Sequence, residues 1–148
     1  MRVKWLQIDK LITTVIALLT GFIALTATGG GIAMLIGLED SRFPLEWLHG
    51  TPFPNYTIPA LILAIVVGGS ALFACVNIVI GTSFRWLVAI TAGIIMMGYI
   101  VVEYLVLQQE PPGPTGIEYL YFGLGLIVTV LAGYRRLDKD TLAGSGSR

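Results

Sequence analysis

The chain has 148 residues, of which 55% are hydrophobic and 12% are charged, with nine basic and nine acidic side chains. Soluble domains carry about 25% charged residues, so this composition excludes an ordinary soluble domain, and its apolar content excludes a disordered chain. A formal net charge of +0 provides no basic field that would attract nucleic acid. The single cysteine, Cys75, excludes an internal disulfide.

Four long apolar runs organise the sequence, at residues 11–38, 58–80, 86–107 and 117–134. A transmembrane helix needs about 20 apolar residues, whereas the strands of a membrane barrel are short and alternate in polarity. The runs therefore predict an all-α integral membrane protein. Its single domain, residues 1–137, is expected to be an antiparallel four-helix bundle with up-down-up-down topology, because the connections are short.

The two ends of the chain raise separate questions. The basic start followed by the first apolar run is also typical of a signal peptide. That run is longer than a signal-peptide core, and residues 27–29 (ATG) form a poor cleavage site, so we interpret it as a membrane span. Residues 138–148 include the repeat GSGS, which is typical of an added linker and predicts a flexible tail.

Basic residues are distributed unevenly between the two sides of the predicted bundle. The only one on the side that holds the 39–57 loop is Arg42. Because cytoplasmic loops are enriched in Lys and Arg, both termini are expected in the cytoplasm of a prokaryotic cell, with the protein in its inner membrane. The basic residues on the predicted cytoplasmic side are Arg2, Lys4, Lys10, Arg85, Arg135, Arg136, Lys139 and Arg148.

Small residues recur at helical spacing within the apolar runs. Helices in lipid associate by close packing rather than by burial of apolar surface, so small side chains favour contact between helices. The partner helix could belong to the same chain or to a second copy. The residues predicted to pack in this way are Ala60, Ala64, Gly68, Gly125 and Gly133.

The connection at residues 39–57 is the only one rich in polar and aromatic side chains. Pro44 and Gly50 bracket a short predicted helix, since proline favours a helix start and glycine a helix end. The loop could dock a partner or cover the bundle, or it could simply lie at the membrane interface. One histidine among carboxylates is not a zinc-type ligand set, so we predict no metal site. The candidate docking residues are Glu46, Trp47 and His49.

Glu103 is the acidic residue furthest inside an apolar run. Charged groups within a membrane are costly and often functional. Counted from Arg85 along a helix that rises 1.5 Å per residue, Glu103 lies about 27 Å away, close to the opposite membrane surface. At that depth it could pair with Arg42 as a structural contact, which we favour, or it could serve as a transport carboxylate.

Several short motifs resemble those of small four-span prokaryotic integral membrane proteins. They are PLEWL (44–48), PF (52–53), YTIP (56–59) and GGS (68–70). The general layout is also similar to that of DoxX-like proteins, some of which are linked to quinone-dependent sulfur oxidation. The resemblance implies a four-span fold and transfers no catalytic residue.

The predicted function follows from what the apolar runs lack. The sequence shows no clustered titratable groups that would indicate a catalytic site, and it predicts no cofactor. We expect a non-enzymatic structural or accessory subunit that forms a homo-oligomer or joins other subunits in the lipid bilayer. The alternatives are an oligomeric small-solute or ion transporter that uses Glu103, and an accessory protein that binds a quinone or another lipophile.

Overall fold

The computed structural model describes residues 2–38, 41–107 and 113–145, with side chains from residue 6 to residue 139 of these ranges and at residue 141. The regular secondary structure of this part of the chain is all helical, with no strand, which confirms the prediction of an all-α fold. A 3₁₀ helix, Leu45–Leu48, lies in the loop between the first two long helices. The long helices are α1, Arg2–Leu35; α2, Thr57–Ile80; α3, Arg85–Val106; and α4, Gly116–Ser145.

The surface of the bundle is apolar along most of its length. Within the described residues, four helices are long and apolar enough to cross a membrane. No more than 33% of the most apolar stretch of any of them is buried inside the chain. Apolar surface on this scale requires an apolar environment, which is typical of a multi-pass membrane protein.

The C-terminal end of α1 differs from the end of the first predicted span, because backbone geometry rather than hydropathy ends this helix. α1 ends at Leu35, because Gly37 has φ of 77° and a left-handed residue stops a helix. The amide of Leu38 then donates to the Ala33 carbonyl at 3.0 Å, which completes the pattern of a Schellman cap.

Both outer helices also extend into polar sequence. α1 begins at Arg2, and α4 continues to Ser145, through most of the segment for which we predicted a flexible tail. Residues 146–148 of that segment lie outside the described part of the chain. Arg, Lys and Leu are good helix formers, so an apolar run underestimates the length of the helix that contains it.

Each long helix contributes one large side chain to the centre of the bundle: Ile16, Val67, Met96 and Val128 are all fully buried. Consecutive helices contact each other, and α4 also contacts α1, which closes the bundle. The closing contact includes a salt bridge between Arg135 in α4 and Asp9 in α1. The guanidinium group of Arg135 also lies 5.5 Å from the ring of the buried Trp86.

The small residues of α1 and α2 lie where these two helices meet. A Cβ atom added to Gly68 would lie 3.1 Å from the backbone nitrogen of Thr28, and one added to Gly31 would lie 2.6 Å from the Ala60 carbonyl oxygen and 2.9 Å from the Ala64 nitrogen. Larger side chains would therefore force α1 and α2 apart.

The contact between α3 and α4 is equally close at one level. A Cβ atom on Gly93 would lie 2.6 Å from the Gly125 carbonyl oxygen, and one on Gly125 would lie 2.8 Å from the Gly93 carbonyl oxygen. By contrast, a Cβ atom on Gly133 would meet nothing within 4 Å among the described residues. Ala132, the residue before Gly133, is fully buried, so α4 is packed at this level and Gly133 lies on another of its faces.

Candidate ligand-binding site

A cavity of about 570 Å³ lies at the end of the bundle that carries the 3₁₀ helix. We call it the loop cavity. Its walls come from all four long helices and from the loop before α2. Its volume falls in the range of pockets that hold small organic molecules, roughly 300–1,000 Å³.

Four aromatic side chains from three parts of the chain line the loop cavity: Phe43, Trp47, Tyr99 and Tyr121. The rings of Phe43 and Trp47 stand edge to face, with centroids 6.3 Å apart. Aromatic faces carry partial negative charge, so a set of rings around one cavity favours an organic cation.

Among the described residues, one arginine and two glutamates line this cavity: Arg42, Glu103 and Glu118. Arg42 is exposed and Glu103 is partly buried, whereas Glu118 is buried, with 5% of its surface accessible to solvent. The charge of an exposed group is screened by water, while the charge of a less exposed group acts more strongly on its surroundings. Any charge that the two carboxyl groups carry is therefore less screened than the charge of Arg42.

Glu118 also completes the start of α4. Its carboxylate accepts a hydrogen bond from the backbone N–H of Thr115, the residue just before the helix. This is the reciprocal half of a capping box, in which a glutamate at the third helical position satisfies the N–H of the capping residue. Thr115-x-x-Glu118 is the sequence signature of that motif, although our sequence analysis did not use it.

Tyr56 anchors the loop over the cavity. Its hydroxyl donates a hydrogen bond to the Pro44 carbonyl oxygen at 3.0 Å, and its ring lies 5.8 Å from that of Phe43. Burial, with a smaller contribution from the negative charge of Glu103, raises the pKa of Tyr56 to about 12. The hydroxyl therefore keeps its proton, and the hydrogen bond, at any physiological pH.

The structure brings together some of the predicted site residues but not others. Arg42, Trp47 and Glu103 line the same cavity, although more than 50 residues separate Glu103 from the other two in sequence. Glu46 and His49 are exposed and do not line the loop cavity. Their role in docking a partner stays a prediction.

Tyr99 and Tyr121 were missed by sequence reasoning. An aromatic residue in an apolar helix carries no signal of the direction in which it faces, and only the packing of α3 and α4 turns these two toward the cavity. Among the described residues, no three His, Cys, Asp or Glu side chains lie close enough together to hold a metal ion.

The fold and this cavity define a multi-pass helical membrane protein with a partly polar pocket at one end. No known protein family, characterised protein or solved structure matches the chain.

Proposed function

We propose that this protein is a non-enzymatic membrane protein that binds a lipophilic organic cation in the loop cavity. Its helices alternate in direction across a prokaryotic inner membrane, both termini lie in the cytoplasm, and the loop cavity lies on the external side. The excess of basic residues at the termini, together with Arg85 directly after the 81–84 turn, supports this orientation.

A single observation carries the choice of ligand. One cavity of about 570 Å³ combines four aromatic side chains with two carboxyl groups. Recognition of organic ammonium ions relies on aromatic faces, and the attraction strengthens where water is excluded. A carboxylate nearby adds a countercharge.

Glu103 is assigned the role of countercharge, because Glu118 is already engaged in capping α4. Arg42 opposes a bound cation, but its exposure to water weakens that effect. Trp47 lies against the ligand and provides an optical signal for binding. Binding of a lipophile and use of Glu103 were each part of an alternative function predicted from the sequence.

Association with a second copy or with other membrane subunits stays a prediction. That prediction was based partly on Gly68 and Gly125, and both of these glycines lie against helices of the same chain. An interface with another chain would therefore have to use other surfaces.

The test compares two ions of nearly the same shape and opposite charge. Tetraphenylphosphonium and tetraphenylborate would be titrated into the purified protein in lipid nanodiscs, with binding followed by quenching of Trp47 fluorescence. We expect binding of the cation, but not of the anion, to depend on Glu103, each ion being compared between variant and parent so that its partitioning into the lipid cancels. Replacing Glu103 by Gln should weaken cation binding by about tenfold or more, since a charge-assisted contact is worth roughly 1.5–3 kcal/mol.

Glu46→Gln provides the matched control. It removes one carboxylate from the same end of the molecule but from a residue that does not line the loop cavity. This variant should bind the cation as the parent does, and a Trp47→Phe variant should lose the quenching signal. Equal effects of Glu103→Gln on the two ions, or equal losses of cation binding in Glu103→Gln and Glu46→Gln, would contradict the proposal.

A further inference from the structure

A second cavity, of about 380 Å³, lies between α2 and α3. We call it the side cavity. Ile62 and Val66 of α2 and Val102 of α3 line it and are also exposed on the outside of the bundle. Because the exposed flank of a membrane-spanning bundle meets lipid, this cavity opens toward the hydrocarbon of the bilayer.

The side cavity and the loop cavity are neighbours. Met34, Tyr99 and Glu103 line both of them. Of the Arg and Glu residues described at the loop cavity, only Glu103 also borders the side cavity, whose other described walls are almost entirely hydrocarbon and aromatic. Glu103 therefore lies where the two cavities meet. A single molecule could place its charged end in the loop cavity and its apolar end in the side cavity, with this carboxyl group between them.

The backbone of α2 is irregular beside this border. Residues Ile62–Val67 form a π-helical segment within the helix. Leu63 from this segment lines the loop cavity, while Ile62, Val66 and Val67 line the side cavity. Wider π turns inside α-helices are frequent at functional sites, because they redirect side chains that a regular helix would place elsewhere.

We propose that the side cavity holds the alkyl chain of a single-chain ammonium amphiphile whose headgroup lies beside Glu103 in the loop cavity. The inference rests on the proposed cation-binding function and narrows its ligand class. The occupant is drawn from the bilayer, since the side cavity is open to lipid. Its headgroup is cationic, since the charged residue at the border is an acid.

The glycines of the two cavities provide a means to fill each one separately. Gly98 lines the side cavity and Gly116 lines the loop cavity, and a Cβ atom on either would meet nothing within 4 Å among the described residues. Leucine at each position can therefore occupy the cavity without forcing helices apart. Gly69→Leu is the matched control, because Gly69 is equally open and lines neither cavity.

The experiment measures how two cations bind in nanodiscs. Tetraphenylphosphonium is compact and has no chain, whereas dodecyltrimethylammonium carries a chain of twelve carbons. Binding of the second is measured by its displacement of the first. Comparing the variants with the parent at one chain length cancels the partitioning of the amphiphile into the bilayer.

We expect Gly98→Leu to weaken dodecyltrimethylammonium binding by about tenfold, the change that follows when about two methylene groups lose burial. Tetraphenylphosphonium binding should be unaffected by Gly98→Leu and weakened by Gly116→Leu. Gly69→Leu should match the parent for both ions. Thermal unfolding of each variant shows that the fold is intact.

The outcomes separate this inference from the function on which it rests. If Glu103→Gln weakens binding of both cations but Gly98→Leu weakens neither, the cation site stands and the chain site is wrong. A loss of both cations in Gly98→Leu would also overturn the chain site, because the compact ion does not need the side cavity. If neither cation binds in a Glu103-dependent way, the proposed function itself fails.

Discussion

At the scale of single residues, the main question is whether Arg42 and Glu103 form an ion pair. The structure places both at the loop cavity, while the residue that caps α4, Glu118, shares the same space. Arg42 is exposed to water and the two glutamates are less so, so the influence of its charge on theirs is reduced by screening. The predicted pairing of Arg42 with Glu103 can be measured as a coupling free energy between the two side chains.

A double-mutant cycle on Arg42→Gln and Glu103→Gln tests that pairing. Each single variant should lower the free energy of unfolding slightly, and the double variant should lose less than the sum of the two. Interfacial ion pairs contribute on the order of 0–1 kcal/mol, so we expect a coupling of at most about 1 kcal/mol. Reversible unfolding in mixed micelles measures it. Strictly additive losses would show that the two charges do not pair.

At the scale of helices, glycine contacts decide how closely the elements approach. Gly68 and Gly69 are adjacent in α2, but only Gly68 lies against the backbone of Thr28. In lipid, where burial of apolar surface drives little association, such close contacts are a large part of what holds helices together. The two neighbouring positions therefore make a natural comparison.

Gly68→Ile should destabilise the bundle by about 1–3 kcal/mol, the usual cost of forcing a larger side chain into a well-packed contact. Gly69→Ile should have little effect, because its Cβ atom would meet nothing within 4 Å among the described residues. Thermal unfolding of the two variants in the same detergent makes the comparison. Equal melting temperatures would mean that the contact between α1 and α2 is not tightly packed.

At the scale of the whole molecule, orientation in the membrane is the property that the proposed function requires. The loop cavity lies at the end of the bundle opposite the salt bridge of Arg135 with Asp9. If the basic termini are cytoplasmic, that cavity meets the external side.

Cysteine labelling tests the orientation after Cys75 is replaced by Ala. Ser41, beside the loop cavity, and Ser83, in the turn between α2 and α3, are both exposed and would each be replaced by Cys in turn. A membrane-impermeant maleimide added to intact cells should label the cysteine at position 41. The cysteine at position 83 should react only after the membrane is opened. The reverse pattern would show that the protein is inserted the other way.

The sequence by itself determined the class of fold and the approximate spans. Hydropathy is a local property, and a run of about 20 apolar residues meets the thickness of a bilayer regardless of what packs beside it. The same local reasoning placed the short helix near Trp47, where Pro44 and Gly50 limit the backbone. It did not detect the full length of α4, because helix propensity continues where hydropathy stops.

Only the tertiary structure decided which residues share a site. Glu103 and Arg42 could be selected from the sequence as scarce charges, but Tyr99 and Tyr121 could not, because the facing of a side chain in an all-apolar helix depends on its neighbours. The two cavities, and the carboxyl group that borders both, arise from the packing of helices that are distant in sequence. Composition and periodicity describe each helix separately, whereas a cavity is the space that several helices leave between them.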